Sequence, residues 1–373
     1  MKTGKNYLKV TERRFKYYKI SQIANILNVS QRTIRYYEQI GLLPSTRRTK
    51  GQMRLYTQEE LLLIKKIKKM QQEFHMSLES IKNKIKEDLE EFSKKREKSK
   101  YKIVVDSTAS LPSDIIERYN IEVIPMKIMV GKSVFDDGEN IDPKDIDKIL
   151  ESSRKNIKTS PPDCDEIMDF YSNIYERGAE KIISIHLSSE LSDIFFHAQK
   201  AAKNMKQLID IEVIDSRCMA LGSGLLALEA AQMFQEKNSF SNVIAKIKKM
   251  THSIKELLFV DSIPYLTKGD NVHQYLNLLI DFKPIFTTSN GSIQLLSKIT
   301  NKSKNEYQKI FLRQALKAKK MIGLFHNNFN KEIKVLKKKI TSTFPDITCF
   351  LSNEMSAIPL VYFGPKALGM VIY

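Results

Sequence analysis

From Tyr101 onward, short apolar runs alternate with longer amphipathic stretches, and this alternation constrains the fold more than any other feature of the sequence. The runs are YKIVVDSTASLP, EVIPMKIMV, KIISIHL, IEVIDS and ELLFVDS. Between them lie PDCDEIMDFYSNIYERG, ALGSGLLALEAAQMFQEK and FSNVIAKIKKMTHSIK, which read as helices. Strands alternating with helices predict an α/β domain with a largely parallel sheet. Ligands in such sheets sit beyond the carboxyl ends of the strands. Several runs close there in hydroxyl or carboxylate residues: Asp106-Ser107-Thr108, Ser188-Ser189 and Asp215-Ser216.

The 373 residues are enough for two or three domains, each with its own core. Net charge is +18 and unevenly spread. Residues 1–100 hold 25 Lys and Arg against 11 Asp and Glu, a surplus of +14; the remainder holds 36 against 32, only +4. Positive charge concentrated on a folded module marks a polyanion-binding surface, with a solvated basic tail as the plainer alternative. Residues 18–70 read as such a module. ISQIANILNVS has helical apolar spacing, Ser30 is placed to cap the next helix, and QRTIRYYEQI is closed by Gly41. Two short helices joined by a tight turn form a helix-turn-helix, whose second helix enters the DNA major groove. STRRTKGQMRLYT then reads as a wing, and Thr57 with Glu59 and Glu60 starts a third helix, QEELLLIKKIKKM. Further on, Leu78, Ile81, Ile85, Leu89 and Phe92 form a narrow apolar stripe between charged residues. The stripe predicts a dimerisation helix; an amphipathic helix packed on its own domain is the alternative.

Other classes are disfavoured. No apolar run approaches the roughly 18 residues that span a bilayer, so no membrane insertion is expected. The basic, polar N-terminus lacks a signal-peptide core, and a cytoplasmic home is expected. Cys164, Cys218 and Cys349 show neither metal spacing nor an even count for disulfides. The histidines, His75, His186, His197, His252, His273 and His326, show no ligand spacing and read as solvated or satisfied structural residues. No phosphate loop, dinucleotide fingerprint or nucleophile elbow occurs, so no catalytic residue, metal or cofactor is assigned and the chain is not read as an enzyme.

ISQIANILNVSQRTIRYYEQIGLLPSTRRTKGQMRLYTQEELLLIKKI resembles the DNA-binding domain of MerR-type transcription regulators. The resemblance implies a winged helix-turn-helix, a dimer through the following helix, a palindromic double-stranded promoter and an indirect effect on RNA polymerase. By position, Arg32, Thr33, Arg35 and Tyr36 would face DNA from the recognition helix. Arg47, Arg48, Arg54 and Tyr56 would hold the backbone from the wing. The chemistry agrees, since arginine suits phosphate and guanine edges and tyrosine hydroxyls can bond phosphates. Of the two adjacent tyrosines, Tyr37 is expected in the core. The metal-binding cysteines usual in these regulators are absent after the helix.

Residues 101–373 resemble the DegV family of fatty-acid-binding proteins through IVVDSTASLP, KTSPPD, LSSELSD, VIDSRCMALGSG, PYLTKG, KPIF and GPKALG, in that order. The resemblance implies two α/β subdomains, here divided near 255–290, around one long-chain fatty acid. Thr159 and Ser189 would bond its carboxylate, with Ser160 and Ser188 as neighbours. Tyr362 stands where the family carries histidine, and Asn271 and Thr300 stand where arginines are expected. Those arginines are associated with presenting fatty acid to a kinase. Burying roughly 16 carbons at about 0.8 kcal/mol per CH₂ supplies the driving force. A buried carboxylate needs hydroxyl or N–H donors.

The expected architecture is therefore a basic extension at 1–17, a winged helix-turn-helix at 18–75, a dimerisation helix and linker at 76–99, and a two-subdomain α/β domain at 100–373. The expected function is fatty-acid-responsive transcription regulation by a homodimer. A carrier delivering fatty acid to a kinase is the alternative, and an enzyme acting on the acyl group ranks last.

Overall fold

The computed structural model describes residues 18–43, 47–48, 54–56, 58–74, 76–86, 100–152, 157–261, 282–300, 306–318, 320–343 and 349–373. The chain divides into two compact units, Met1–Lys98 and Ser99–Tyr373.

In the first unit, β1 (Tyr18–Lys19) leads into α1 (Ile20–Leu27) and α2 (Gln31–Gln39). β2 (Arg47–Arg48), β3 (Arg54–Tyr56) and α3 (Gln58–Phe74) follow, then a helix at residues 78–86, α4. The strands form an antiparallel sheet in the order β1-β3-β2, so the unit is not wholly helical as expected. The turn between α1 and α2 is set by Asn28, whose φ of 49° is left-handed. Ser30 then caps α2, its Oγ accepting the Thr33 N–H at 3.0 Å. Gly41, at φ 72°, turns the chain out of α2, and the next two residues, Leu42 and Leu43, fold back into the core.

That core joins Ile23, Ile34, Tyr37, Tyr56, Ile64 and Ile67. It also takes in Ile81 and Ile85, with Leu78 packed beside them. The expected dimerisation stripe is thus corrected over its described part: these positions face their own unit. Two lysines show why the elements belong together. Lys68 of α3 donates to the Leu27 carbonyl at 2.8 Å, and Lys82 of α4 to the Ile40 carbonyl at 2.6 Å. Each satisfies the carbonyl end of a short helix, where a cation also complements the helix dipole. Leu89 and Phe92 lie outside the described residues.

The second unit opens with β4 (Tyr101–Asp106), a 3₁₀ turn (Ser107–Ala109), α5 (Ser113–Tyr119) and β5 (Glu122–Ile124). β6 (Lys127–Val130), β7 (Ser133–Asp136), α6 (Pro143–Ser152), β8 (Ile157–Ser160) and α7 (Cys164–Glu176) come next. They are followed by β9 (Lys181–His186), α8 (Ile194–Asn204), β10 (Asp210–Asp215), α9 (Leu221–Gln235) and α10 (Phe240–Thr251). The remainder is β11 (Lys255–Val260), β12 (Phe282–Ser289), β13 (Ser292–Thr300), α11 (Glu306–Ala315), β14 (Met321–Asn327), α12 (Asn330–Thr343), β15 (Cys349–Glu354), α13 (Ala357–Phe363) and β16 (Ala367–Ile372).

One sheet, β10-β9-β4-β5, is parallel throughout. The second, β13-β12-β11-β16-β14-β15, is antiparallel except between β14 and β15. A third, β7-β6-β8, is antiparallel. The expectation of a largely parallel sheet therefore holds for the first sheet only. For β12 and β13 the reason is local. β12 and β13 are joined by Asn290-Gly291, both at positive φ (50° and 87°), a two-residue hairpin turn that can only return the chain antiparallel.

Between the parallel and the six-stranded sheets runs α9, buried on every side from Leu221 to Ala231. It packs against β4 and β9 on one side and β14 on the other. Gly323 of β14 permits the approach, since a Cβ there would lie 2.9 Å from Leu221 Cδ2. A helix without a polar face is the sequence signature of such a shared layer.

Candidate functional site

The carboxyl ends of the parallel strands converge on a polar cluster. Asp106, at the end of β4, accepts the Leu187 N–H at 2.8 Å and approaches His186 Nδ1 at 3.2 Å. His186 Nε2 lies 2.7 Å from Ser184 Oγ, which accepts the Tyr171 hydroxyl at 2.8 Å. Serine, histidine and aspartate here have the composition of a nucleophilic triad. All three are wholly buried, and Ser184 is turned into the core towards Tyr171. The chain is a clasp between β4 and β9. Burial opposes the charge of Asp106, but hydrogen bonds from His186, Thr108 and Leu187 hold its carboxyl below the usual range.

Beyond that clasp lies the Ser188–Ser189 loop. Ser189 donates its hydroxyl to Asp215 Oδ2 at 2.5 Å, while Asp215 Oδ1 accepts the Ser189 and Arg217 N–H groups at 3.3 and 2.9 Å. Ser189, expected at the ligand carboxylate, is half-buried, and its hydroxyl proton is engaged by Asp215. Ser188 is fully buried; its N–H donates to the Cys218 carbonyl at 3.0 Å and its Oγ accepts the Glu190 N–H at 3.3 Å. The β12–β13 hairpin tip presses on this loop: a Cβ on Gly291 would meet Ser188 Oγ at 2.5 Å.

The other hydroxyls do meet. Thr159 and Tyr362 are hydrogen-bonded to each other, joining the end of β8 to α13. Each is half-buried. Only one of the two hydroxyls can donate within the pair, so the other proton is free for an acceptor. Ser160, next along β8, is half-buried as well. Among the described residues no hydrogen bond joins the Thr159–Tyr362 pair to Ser188 or Ser189. The pair is framed from both sides. On the β8 side, His197 Nδ1–H donates to the Pro162 carbonyl at 2.8 Å. On the α13 side, Asp137 accepts the Ala357 and Ile358 N–H groups at 2.9 and 3.4 Å and the Ser107 hydroxyl at 2.8 Å. Burial pushes the Asp137 carboxyl up to about 6 despite those donors.

A second buried carboxylate ties the sheets together. Glu256 of β11 reaches the start of α9, where it accepts N–H groups from Met219, Ala220 (3.3 Å) and Gly222 (2.7 Å). Burial pushes it up to about 7. Beside it, burial and the Glu256 charge push the Cys218 thiol well up, so this cysteine is a core residue. Neither Glu256 nor Asp137 was picked out from sequence. The signal for Asp137 was the pair in FDDG; Glu256 had none, because its partners are backbone groups.

In the first unit, α2 is anchored by Ile34 and by Tyr37, whose hydroxyl donates to Gln71 Oε1 at 2.6 Å. That anchoring leaves Arg32, Arg35 and Tyr36 outward, Tyr36 with 48% of its surface exposed. Thr33 is half-buried, its hydroxyl 2.7 Å from Ser30 Oγ. A hollow of about 600 Å³ runs between Arg32, Arg35 and Tyr36 on one side and Gln71 and Leu78 on the other. Tyr56 departs from expectation: it is fully buried and donates to Glu38 Oε1 at 2.6 Å. It braces β3 against α2 rather than facing outward. The side chains of Arg47, Arg48 and Arg54 lie outside the described residues, as do the PYLTKG segment and Asn271.

Comparison with known proteins gives two matches. The model of the uncharacterised DegV family matches residues 100–373, and that of the MerR HTH family regulatory protein matches residues 18–88. A DegV domain-containing protein from Clostridium acetobutylicum is 27% identical over 280 residues, covering 74% of this chain and 99% of its own. A solved DegV family protein from Thermus thermophilus, described as binding fatty acid, superposes with a TM-score of 0.66 at 23% identity, covering 73% of this chain and 99% of that one. DegV of Bacillus subtilis, described as a fatty acid binding protein, gives 0.65 at 24%, covering 73% and 98%.

Proposed function

The chain belongs to the DegV family and carries a MerR-type helix-turn-helix region ahead of that domain; on this premise we propose that it is a fatty-acid-responsive transcription regulator. The observation that carries the reading is the joining, within one chain, of a DNA-reading module at residues 18–88 to a DegV domain at 100–373. The DegV domain holds a fatty acid, as the solved relatives from T. thermophilus and B. subtilis are described as doing, and here the acid is a long-chain one. Its head group meets the Thr159–Tyr362 pair, which has a hydroxyl proton to spare, with Ser160 beside it. Ser188 and Ser189 shape the neighbouring loop instead of donating to the head group. The acyl chain supplies the affinity, and the hydroxyls prevent an unpaired acidic head.

The helix-turn-helix binds a double-stranded promoter as a homodimer, and RNA polymerase responds indirectly. Arg32 and Arg35 project from a helix whose other face is locked into the core, which fixes their aim. Arg47, Arg48 and Arg54 add phosphate contacts, so affinity falls steeply with salt.

Native mass spectrometry of the purified protein tests both halves, reading co-purified lipid and dimer mass together. Arg35→Ala then lowers affinity for the cognate promoter about 10- to 100-fold, the cost of one base or phosphate contact, and leaves lipid retention unchanged. Unchanged promoter affinity, or a protein that retains no acyl chain when supplied with one, overturns the reading. Acyl phosphate formed by a kinase from the loaded protein, with no lipid effect on DNA binding, makes it a carrier.

A further inference from the structure

Residues 101–373 carry only a small positive surplus, 36 Lys and Arg against 32 Asp and Glu. Two helices hold more than all of it. α11, the turn after it and α12 carry Lys309, Arg313, Lys317, Lys331, Lys334 and the run Lys337–Lys339, eight cations, against Glu306 and Glu332. Removing these leaves 28 basic against 30 acidic residues, so the rest of the sequence from 101 on is slightly acidic.

The fold gathers these cations on one side. Tyr307 and Phe311 of α11, and Ile333 and Leu336 of α12, share a core with Leu324 of β14 and Met370 of β16. Both helices therefore lie on the same face of the six-stranded sheet, and both turn their other faces outward together. On α12 the outward residues are Lys331, Lys334, Val335 and Lys338, at i, i+3, i+4 and i+7. On α11 and its turn they are Lys309, Arg313, Leu316 and Lys317, at i, i+4, i+7 and i+8. Among the described residues none of these six cations has an ion-pair partner. Leu316 is 67% exposed, between Arg313 and Lys317 on the outward face, and Val335 is 46% exposed, between Lys331, Lys334 and Lys338.

We propose that this face docks on the surface of an anionic phospholipid bilayer. Two features select a bilayer over a nucleic acid. Seven of the eight cations are lysines, point charges on flexible stems, whereas nucleic-acid faces draw on arginine forks and hydrogen-bonding side chains. The aliphatic tips at Leu316 and Val335 would be wasted against phosphates but gain by entering the headgroup boundary. Lysines around an apolar tip can bury their stems there and keep their ammonium groups among the lipid phosphates. The proposal does not depend on the fatty-acid reading.

The test uses the full chain in a vesicle sedimentation assay at physiological salt. Vesicles of phosphatidylglycerol mixed with phosphatidylcholine are compared with phosphatidylcholine alone. The expected result is binding to the mixed vesicles only. The triple variant Lys331→Gln, Lys334→Gln, Lys338→Gln is expected to bind on the order of a hundredfold more weakly, at about fivefold per charge. Leu316→Ser lowers binding severalfold without altering charge. Because residues 1–100 are also basic, the N-terminal unit is the competing explanation. A fall of less than about threefold in the triple variant, or a loss that follows Arg32→Ala and Arg35→Ala instead, overturns the proposal. Loss of duplex affinity in the triple variant with vesicle binding intact assigns the face to DNA and also overturns it. Unchanged melting and fatty-acid retention in the triple variant keep its outcome separate from that of the proposed function.

Discussion

Replacing Glu256 with glutamine should flatten part of the protein's pH–stability profile. The side chain is wholly buried and faces three backbone N–H groups at the start of α9. Those donors favour the carboxylate, but burial outweighs them and raises the group from 4.5 to about 7. A carboxyl raised in the folded state binds its proton more tightly there than in the unfolded chain. The stabilisation is complete below pH 4.5 and is lost as pH rises through about 7. A shift of this size corresponds to about 3 kcal/mol. Asp137, also raised, titrates with the same sign, and Asp106, lowered, with the opposite sign. Both remain in the variant, so the difference between wild type and Glu256→Gln isolates Glu256. The measurement is urea denaturation followed by far-UV circular dichroism at pH steps from 4 to 8, since the chain has no tryptophan to report by fluorescence. The variant should gain about 3 kcal/mol on wild type between the acid and neutral ends. A flat difference profile refutes the reasoning. A slope of opposite sign does so more strongly, because the three N–H donors would then outweigh burial.

The two hydroxyl sites should separate on mutation. Tyr362→Phe leaves Thr159 without its partner and should weaken fatty-acid retention about 10- to 100-fold in a lipid-exchange assay, one hydrogen bond to a charged group being worth about 1.5–3 kcal/mol. Ser189→Ala, whose hydroxyl already serves Asp215, should leave retention within about twofold; a larger loss restores Ser189 as a direct donor. Ile81→Ala should destabilise the first unit by about 2–5 kcal/mol, because Ile81 is wholly buried in that unit's core. If it instead lowers only dimer affinity in analytical ultracentrifugation, the stripe serves a partner chain after all.

How far the sequence could be read depended on the range of the interaction. Periodic elements were legible: the runs at KIISIHL and IEVIDS became paired parallel strands, and the apolar ALGSGLLALEAA became the buried α9. Local caps were legible too, as at Ser30 and Gly41. Tyr37 and Tyr36 divided as expected because the division follows helix phase. What failed was information carried between distant segments. Tyr56 looks like a phosphate-bonding tyrosine until Glu38, eighteen residues away, takes its hydroxyl. Ser189 looks like a free donor until Asp215 is brought within 2.5 Å. The stripe at Leu78–Ile85 has one pattern whether its partner is a second chain or its own domain, and amphipathicity alone cannot choose. The antiparallel sheet was partly visible, since Asn290-Gly291 between apolar stretches is a hairpin signal that the strand–helix alternation around it obscured.

A fatty acid can regulate transcription through this chain only by binding two arrangements of the protein unequally, one of which holds the promoter better. Such coupling is reciprocal: if saturating lipid changes promoter affinity by some factor, saturating promoter changes lipid affinity by the same factor. Typical coupling of 1–3 kcal/mol corresponds to about 5- to 150-fold, well within reach of a competition assay. Lipid dissociation constants measured with and without promoter duplex should therefore mirror the promoter affinities measured with and without lipid. Agreement establishes a single equilibrium spanning the DegV and helix-turn-helix modules, whatever the sign of regulation. A lipid that shifts promoter affinity while the promoter leaves lipid affinity untouched violates linkage. The shift would then come from the free acid acting on the assay rather than from an acid bound at Thr159 and Tyr362.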